Sequence, residues 1–171
     1  MSVITIAPLL KNEALAAAEL FFETVHCSNS SDYSPDQLDA WAPSGRSHQQ
    51  VIADKLTSQY TLAAKASNAL IGFASLAEPD YLDMLFVHPA WQRQGLARQL
   101  VAHLELHAQH CGAAIIRTHA SLTARPFFEV SEYRFVRENT VMRNGIELKN
   151  LFMEKGLPPR SQKESPIPLN S

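Results

Sequence analysis

A single mixed α/β domain is the fold class this sequence predicts, and three observations carry that prediction. Short β-rich runs alternate along the chain with segments whose apolar residues recur at helical spacing. Two turn-forming pairs, Ser67-Asn68 and Asn144-Gly145, sit between β-rich runs as hairpin turns do. A length of 171 residues suits one hydrophobic core.

In chain order, residues 2–6 are rich in β-branched side chains and form a first strand, which Pro8 ends. Asn12 can cap a helix reaching about residue 26, with Leu15, Ala18, Leu20, Phe22 and Val25 as its apolar positions. The polar cluster at 27–32 is a turn. Ser34 caps a short helix with Pro35 at its first position, and Pro43, Ser44 and Gly45 break the chain before a third helical piece over 47–56. Strands follow at 60–65, 70–76 and 81–87, the last stopped by His88-Pro89. A helix opening near Gly95 carries Leu96, Leu100, Val101, Leu104 and Ala108 on one side and stops at Cys111-Gly112. Residues 113–118 read as a buried strand, and Ser121 as the cap of a helix to about Val130. Strands at 133–142 and 146–153 close the domain, which is expected to span residues 1–156. Pro158, Pro159, Pro166 and Pro168 lie among polar residues, so 157–171 is expected to be a disordered tail.

Hydrophobic residues make up 46% of the chain and charged ones 19%, proportions that fold rather than stay disordered. A net charge of -2 supplies no overall basic field for nucleic acid or an anionic membrane, and neither is expected as a partner. Cys27 and Cys111 have no paired spacing, which favours two thiols in a reducing compartment. With no signal-peptide pattern and no apolar run of membrane length, a cytoplasmic location is expected.

The segment that carries chemistry is YLDMLFVHPAWQRQGLARQLVAHL, residues 81–104. A strand ends, the chain turns, and a helix opens with Gln92, Arg93, Gln94, Gly95, Leu96, Ala97 and Arg98. The first amides of a helix have no intrahelical acceptor and sit at its positive end, so such a mouth binds phosphate. Gly95 permits close approach, Ala97 leaves room, and Arg93 and Arg98 add charge. Only one glycine is present and no Gly-Lys-Ser/Thr follows, which excludes Rossmann and Walker loops.

Filled as QRQGLA, this loop resembles the Q/R-x-x-G-x-G/A signature of the GCN5-related N-acetyltransferase (GNAT) superfamily. SLTARPFFE at 121–129 is similar to the family's later helix. DYSPDQLDAWAP and the terminal hairpin resemble its YafP-like subgroup, so the likeness covers roughly residues 1–156. It implies a twisted, mostly antiparallel sheet with one splayed parallel strand pair and helices on both faces. Acetyl-CoA is the implied co-substrate, with no metal, and the acceptor is a small-molecule or peptide amine. Dimers are common in the family, so a homodimer is a further expectation.

The resemblance assigns roles residue by residue. Backbone of Leu85, Phe86 and Val87 bonds the pantetheine and polarises the thioester carbonyl, while Ser121, Ala124, Phe127 and Phe128 lie along its other side. The amine attacks directly, leaving Cys27 and Cys111 without a nucleophilic role. Asp83 either takes the amine's proton or anchors a neighbouring loop. Many members protonate the leaving thiolate with a tyrosine, but Phe128 stands there, so Ser121 or water is expected to serve. Tyr133 is expected in the core, and Glu132, where glycine is common, is expected to strain its turn. Tyr33 and Trp41 are candidates for the acceptor wall, with packing as Trp41's alternative. His103, His107, His110 and Cys111 invite a metal reading, but their order is not H-E-x-x-H and a solvated border is expected. His119 ends a strand near the gap and receives no role. Two other readings stay open: a catalytically silent acyl-CoA sensor, which Phe128 favours, and a phosphate-ligand protein unrelated to CoA.

Overall fold

The structure is a computed structural model and describes residues 3–159. Its elements run β1 (Ile4–Pro8), α1 (Ala14–Ser28), α2 (Pro35–Trp41), α3 (Arg46–Ser58), β2 (Tyr60–Ala66), β3 (Ala69–Glu78) and β4 (Tyr81–Val87), then α4 (Leu96–His110), β5 (Ile115–Ser121), α5 (Arg125–Val130), β6 (Arg134–Arg143) and β7 (Ile146–Gly156). Among the described residues the strands form one seven-stranded sheet in the order β1-β2-β3-β4-β5-β7-β6.

Each neighbouring pair is antiparallel except β4 and β5. That parallel ladder has two rungs, Tyr81↔Arg117 and Leu82↔Thr118, and then the strands part. The cause is visible one residue on. Ser75 faces Met84 and Leu76 faces Leu82, so Asp83 has no partner on β3 and forms a bulge. A bulge bends and twists its strand, which turns β4 away from β5 while β7 holds β5's other edge from Ile115↔Gly156 to Ser121↔Asn150.

Helices cover both faces. Leu96, Leu100, Val101, Leu104 and Ala108 of α4 pack on Leu62, Leu76, Leu82, Ile116 and Met153, together with Phe128 of α5. On the opposite face Leu20, Phe21, Val25, Leu38 and Leu56 of α1–α3 meet Phe73, Met84 and Leu148. Each fully buried leucine contributes about 2 kcal/mol by removal from water, so α4 is held by its apolar stripe. At Gly72 an added Cβ would lie 3.1 Å from the Phe86 carbonyl oxygen and 3.4 Å from Leu96, so glycine lets α4 approach β3 closely.

The predicted boundaries mostly hold, and the shifts have local causes. Ser34 Oγ accepts from Gln37 N and Pro35 is the first residue of α2. Both hairpin turns are left-handed, at Ser67-Asn68 and Asn144-Gly145. β1 runs past residue 6 and ends at Pro8 itself, which an edge strand tolerates. β5 begins later and runs three residues further than 113–118, because Ala113 N still bonds Ala108 O as part of the α4 exit. Ser121 Oγ accepts from Ala124 N at 3.0 Å, capping a turn ahead of α5 rather than the helix itself. Leu157 is buried and its amide donates to Ala114 O at 2.8 Å. Residues 160–171, most of the expected tail, lie outside the described residues.

Candidate active site

β4 ends at Val87, a short 3-10 turn spans Pro89–Trp91, and the chain reaches α4 through Gln92–Gly95. Arg93 (φ 62°) and Gly95 (φ 84°) are both left-handed, a backbone that turns successive amides toward one side. Gly95 is the N-cap of α4, and no side chain caps that helix. The loop is braced from behind. Gln92 Nε2 donates to Val87 O and to Ser28 Oγ, both at 2.9 Å, tying the loop to β4 and to the end of α1. Gln94 Nε2 donates to Ala90 O at 3.1 Å.

A cavity of 1030 Å³ starts at this mouth and continues between the parted strands. Gln92, Arg93, Gly95, Leu96, Ala97 and Arg98 line it at one end, and Leu85, Phe86 and Val87 along β4. Ser121, Ala124, Phe127 and Phe128 line it from the β5–α5 side. Of the residues expected to bind the cofactor, only Gln94 stands outside this lining, because its amide folds back on Ala90. The three β4 residues differ in the backbone they present. His88 N donates to Ile71 O, and hydrogen-bonding direction alternates along an antiparallel strand, so Phe86 also faces β3. Leu85 and Val87 therefore turn their backbone toward the gap, while the Phe86 ring packs edge-on against Phe21 at 5.0 Å.

Beyond the strand gap the cavity is walled by α1–α3 and the β5–β7–β6 side. Tyr33 and Trp41 are both there, their rings 5.4 Å apart. Tyr33 is buried at 6% exposure, and its hydroxyl donates to Lys149 O (2.8 Å) and accepts from Leu122 N (2.9 Å). Burial, the larger cause, and Asp32 raise its pKa. Asp83 Oδ2 receives Lys55 Nζ and Gln59 Nε2, each at 2.7 Å, and its side chain is 16% exposed. Of the two roles left open for Asp83, these contacts describe the anchoring one. Ser121 Oγ, besides capping Ala124 N, accepts from Asn29 Nδ2 at 3.5 Å. His48 Nε2 is buried without a hydrogen-bond partner, and burial lowers the pKa of this ring. Among the described residues, Asp83 is the one carboxylate in the lining, against Lys55, Arg93, Arg98, Arg143 and Lys149.

Tyr81 and His119 were given no role in the sequence, yet both line the cavity and bond to each other. Tyr81 Oη lies 2.7 Å from His119 Nδ1. Burial chiefly raises the tyrosine's pKa, with Asp83 adding to it; burial chiefly lowers the histidine's, with Arg137 adding. Their signal in the sequence was a tyrosine and a histidine on the two strands flanking the gap, which says nothing of which face each occupies.

Other expected features have structural places. Tyr133 is buried against Phe128 at 5.0 Å, its hydroxyl donates to Glu105, and burial raises its pKa strongly, as befits a core residue. Glu132 is left-handed at φ 70°, the strain expected where glycine is absent. His103 Nδ1 lies 2.8 Å from Gln99 O, and His107 stacks on Tyr60 at 3.5 Å with Cys111 Sγ 3.6 Å away. Among the described residues no group of three His, Cys, Asp or Glu could hold a metal ion, and no helix is long and apolar enough to cross a membrane.

A sheet opened between one parallel strand pair, with a loop-capped helix at its mouth, defines an acyltransferase architecture. Residues 29–155 match the acetyltransferase (GNAT) domain family, and the chain belongs to that family of acetyltransferase enzymes. It is 32% identical over 134 residues to the uncharacterized N-acetyltransferase YafP of Escherichia coli (strain K12), covering 78% of this chain and 83% of that protein. The crystal structure of a GCN5-related N-acetyltransferase from Rhodopseudomonas palustris, titled aminotransferase, class-II, superposes with a TM-score of 0.86 at 36% identity, covering 92% of this chain and 98% of that one. PaiA N-acetyltransferase from Thermoplasma acidophilum, solved in complex with coenzyme A, shares the fold at a TM-score of 0.70 and 16% identity, with coverages of 90% and 99%.

Proposed function

We propose that this chain is an acetyl-CoA-dependent N-acetyltransferase in which an amine attacks the thioester directly. One observation carries the reading: the left-handed loop at Arg93–Gly95 opens the α4 mouth onto a cavity that continues through the parted strands. Amides at that mouth, with Arg93 and Arg98, suit a diphosphate. Leu85 and Val87 offer backbone where a pantetheine amide and the developing oxyanion would lie. The coenzyme A found with PaiA supports the same ligand class here.

On the acceptor side, His48 Nε2 is a buried polar atom that an acceptor can satisfy. Lys55 is neutralised by Asp83 and Lys149 by Glu138, and two arginines face the diphosphate, so the remaining lining is cationic through Arg143. That balance suits an amine that also carries an anionic group better than a polyamine. A second reading, a silent acyl-CoA sensor, draws on Phe128, which has no hydroxyl to protonate a thiolate and is packed in the core.

The test is thiol release from acetyl-CoA across a panel of anionic, neutral and polycationic amines, alongside calorimetric binding of coenzyme A. Turnover with at least one anionic amine is the expected result. Tight binding with no thiol release on any amine supports the sensor, and no coenzyme A binding at all removes both readings.

A further inference from the structure

We propose that Tyr81 and His119 form the proton relay of the acetyl transfer, an inference that rests on the N-acetyltransferase reading above. The pair stands at the fork of the sheet. Tyr81 belongs to the last two rungs between β4 and β5, and His119 is the first β5 residue beyond them. Their 2.7 Å hydrogen bond therefore spans the strand pair where it begins to open, and both side chains line the cavity that begins at the α4 mouth. The histidine ring is fixed on its far side by Phe152, 5.0 Å between centroids, and Arg137 lies over that phenylalanine at 4.8 Å.

The charged and titratable surroundings define the resting state. Asp83 on β4 faces the pair and is itself bound by Lys55 of α3; Arg137 approaches from β6; Arg117, next along β5 on the same face, is paired with Asp80. Burial and Asp83 keep the Tyr81 proton on its oxygen, while burial and Arg137 keep His119 neutral. The phenol then donates to Nδ1, which assigns the histidine proton to Nε2. Such a pair is loaded to accept one proton. Asp83 also favours the imidazolium that results, so its anchored carboxylate supports the relay without exchanging a proton itself.

The step balances as follows. An incoming ammonium gives one proton to Tyr81 Oη as the phenol proton moves to His119 Nδ1, leaving a free amine and an imidazolium. The amine lone pair forms the C–N bond to the thioester carbonyl carbon and the C–S bond breaks, releasing thiolate. The proton held on His119 returns through Tyr81 to the sulfur, and the second proton shed by the nitrogen as it becomes an amide passes to water. Ammonium and thioester become amide, free thiol and one solvent proton. This relay also supplies the acid that Phe128 cannot.

The test is kcat and KM from pH 5 to 9 for the wild type, Tyr81→Phe, His119→Gln and the double variant, using the best amine of the panel. Thermal melts and coenzyme A affinity report on folding and the cofactor half. Each single variant is expected to lower kcat by about 10²–10³-fold, within the usual range for positioned acid–base groups. The KM for acetyl-CoA should stay within about twofold, and the double variant should be no slower than the worse single one, because relay members act as a unit. Wild-type kcat/KM should fall on the acid side with its midpoint below the ordinary histidine value of about 6.5, because burial lowers that of His119, and His119→Gln should lack that limb. Folded, coenzyme-binding variants that keep wild-type kcat, or an acid limb that survives His119→Gln, would overturn the relay while the transferase stands. A wild type that binds coenzyme A yet releases no thiol with any amine overturns relay and transferase together.

Discussion

The two ends of the cavity are built in opposite ways. The end proposed for the diphosphate is one contiguous stretch, Val87 to Arg98, in which a strand, a turn and a helix mouth follow one another in sequence. The acceptor end is collected from α1, α2, α3, β4, β5, β6 and β7, and its closest contacts join residues far apart, such as Tyr33 with Lys149 or Tyr81 with His119. Local construction makes the first end depend on backbone conformation. Assembled construction makes the second depend on strand register and on side chains that bridge elements. Substitutions should therefore damage one end and spare the other.

The largest effect is expected from Gly95→Trp. An added Cβ at Gly95 meets nothing within 4 Å, so the fold can hold the side chain, but it would stand in the helix mouth at a φ of +84°. Calorimetry should show coenzyme A affinity falling by at least about 100-fold, against a stability loss of only about 1–3 kcal/mol from the backbone strain. Normal affinity in that variant would move the diphosphate elsewhere and dissolve the contrast between the ends. Leu100→Ala, which empties a fully buried position in the core under α4, should cost about 2–5 kcal/mol in denaturant unfolding and lower both activities only through the folded fraction.

Smaller effects separate the ends more finely. Tyr33→Phe removes the hydroxyl that joins Lys149 O to Leu122 N, and should cost about 1–2 kcal/mol in urea melts. The KM for the amine should rise severalfold while coenzyme A affinity is unchanged; the reverse pattern would place Tyr33 in the cofactor end. The least effect is on stability against pH. His48, His107 and His119 have pKa values lowered by burial, so the folded state binds protons less readily than the unfolded chain. Their contribution is fully present above the unfolded value of about 6.5 and is lost as pH falls below it. Melting temperature at pH 5.5 should lie below that at pH 7.5, and His119→Gln should narrow the difference.

The same contrast explains what could be read from the sequence. QRQGLA was legible because its chemistry follows from neighbours in the chain: a glycine where the backbone turns left-handed, a helix stripe at Leu96, Leu100 and Leu104, and a strand before it. Even there side-chain direction was not legible, and Gln94 points back to Ala90. The Tyr81–His119 pair was not legible for a definite reason. The sequence puts His119 at the end of a strand, whereas β5 runs on to Ser121 because β7 pairs with it as far as Asn150. The face His119 occupies is set by that pairing, which no local pattern encodes. Asp83 was noticed for its place on the strand two residues before Leu85, but its contacts with Lys55 and Gln59 depend on where α3 lies across the sheet.

Asp83 also has a consequence for the alternation of β4. Leu82 packs toward α4 and Met84 toward α1, with Leu85 and Val87 on the first side and Phe86 on the second. Excising the one amino acid between 82 and 84 would leave a tidy zigzag of apolar side chains, every one still on its proper layer. Without that extra residue to bend β4 away, β4 and β5 would be free to pair further along and narrow the gap that the cavity follows.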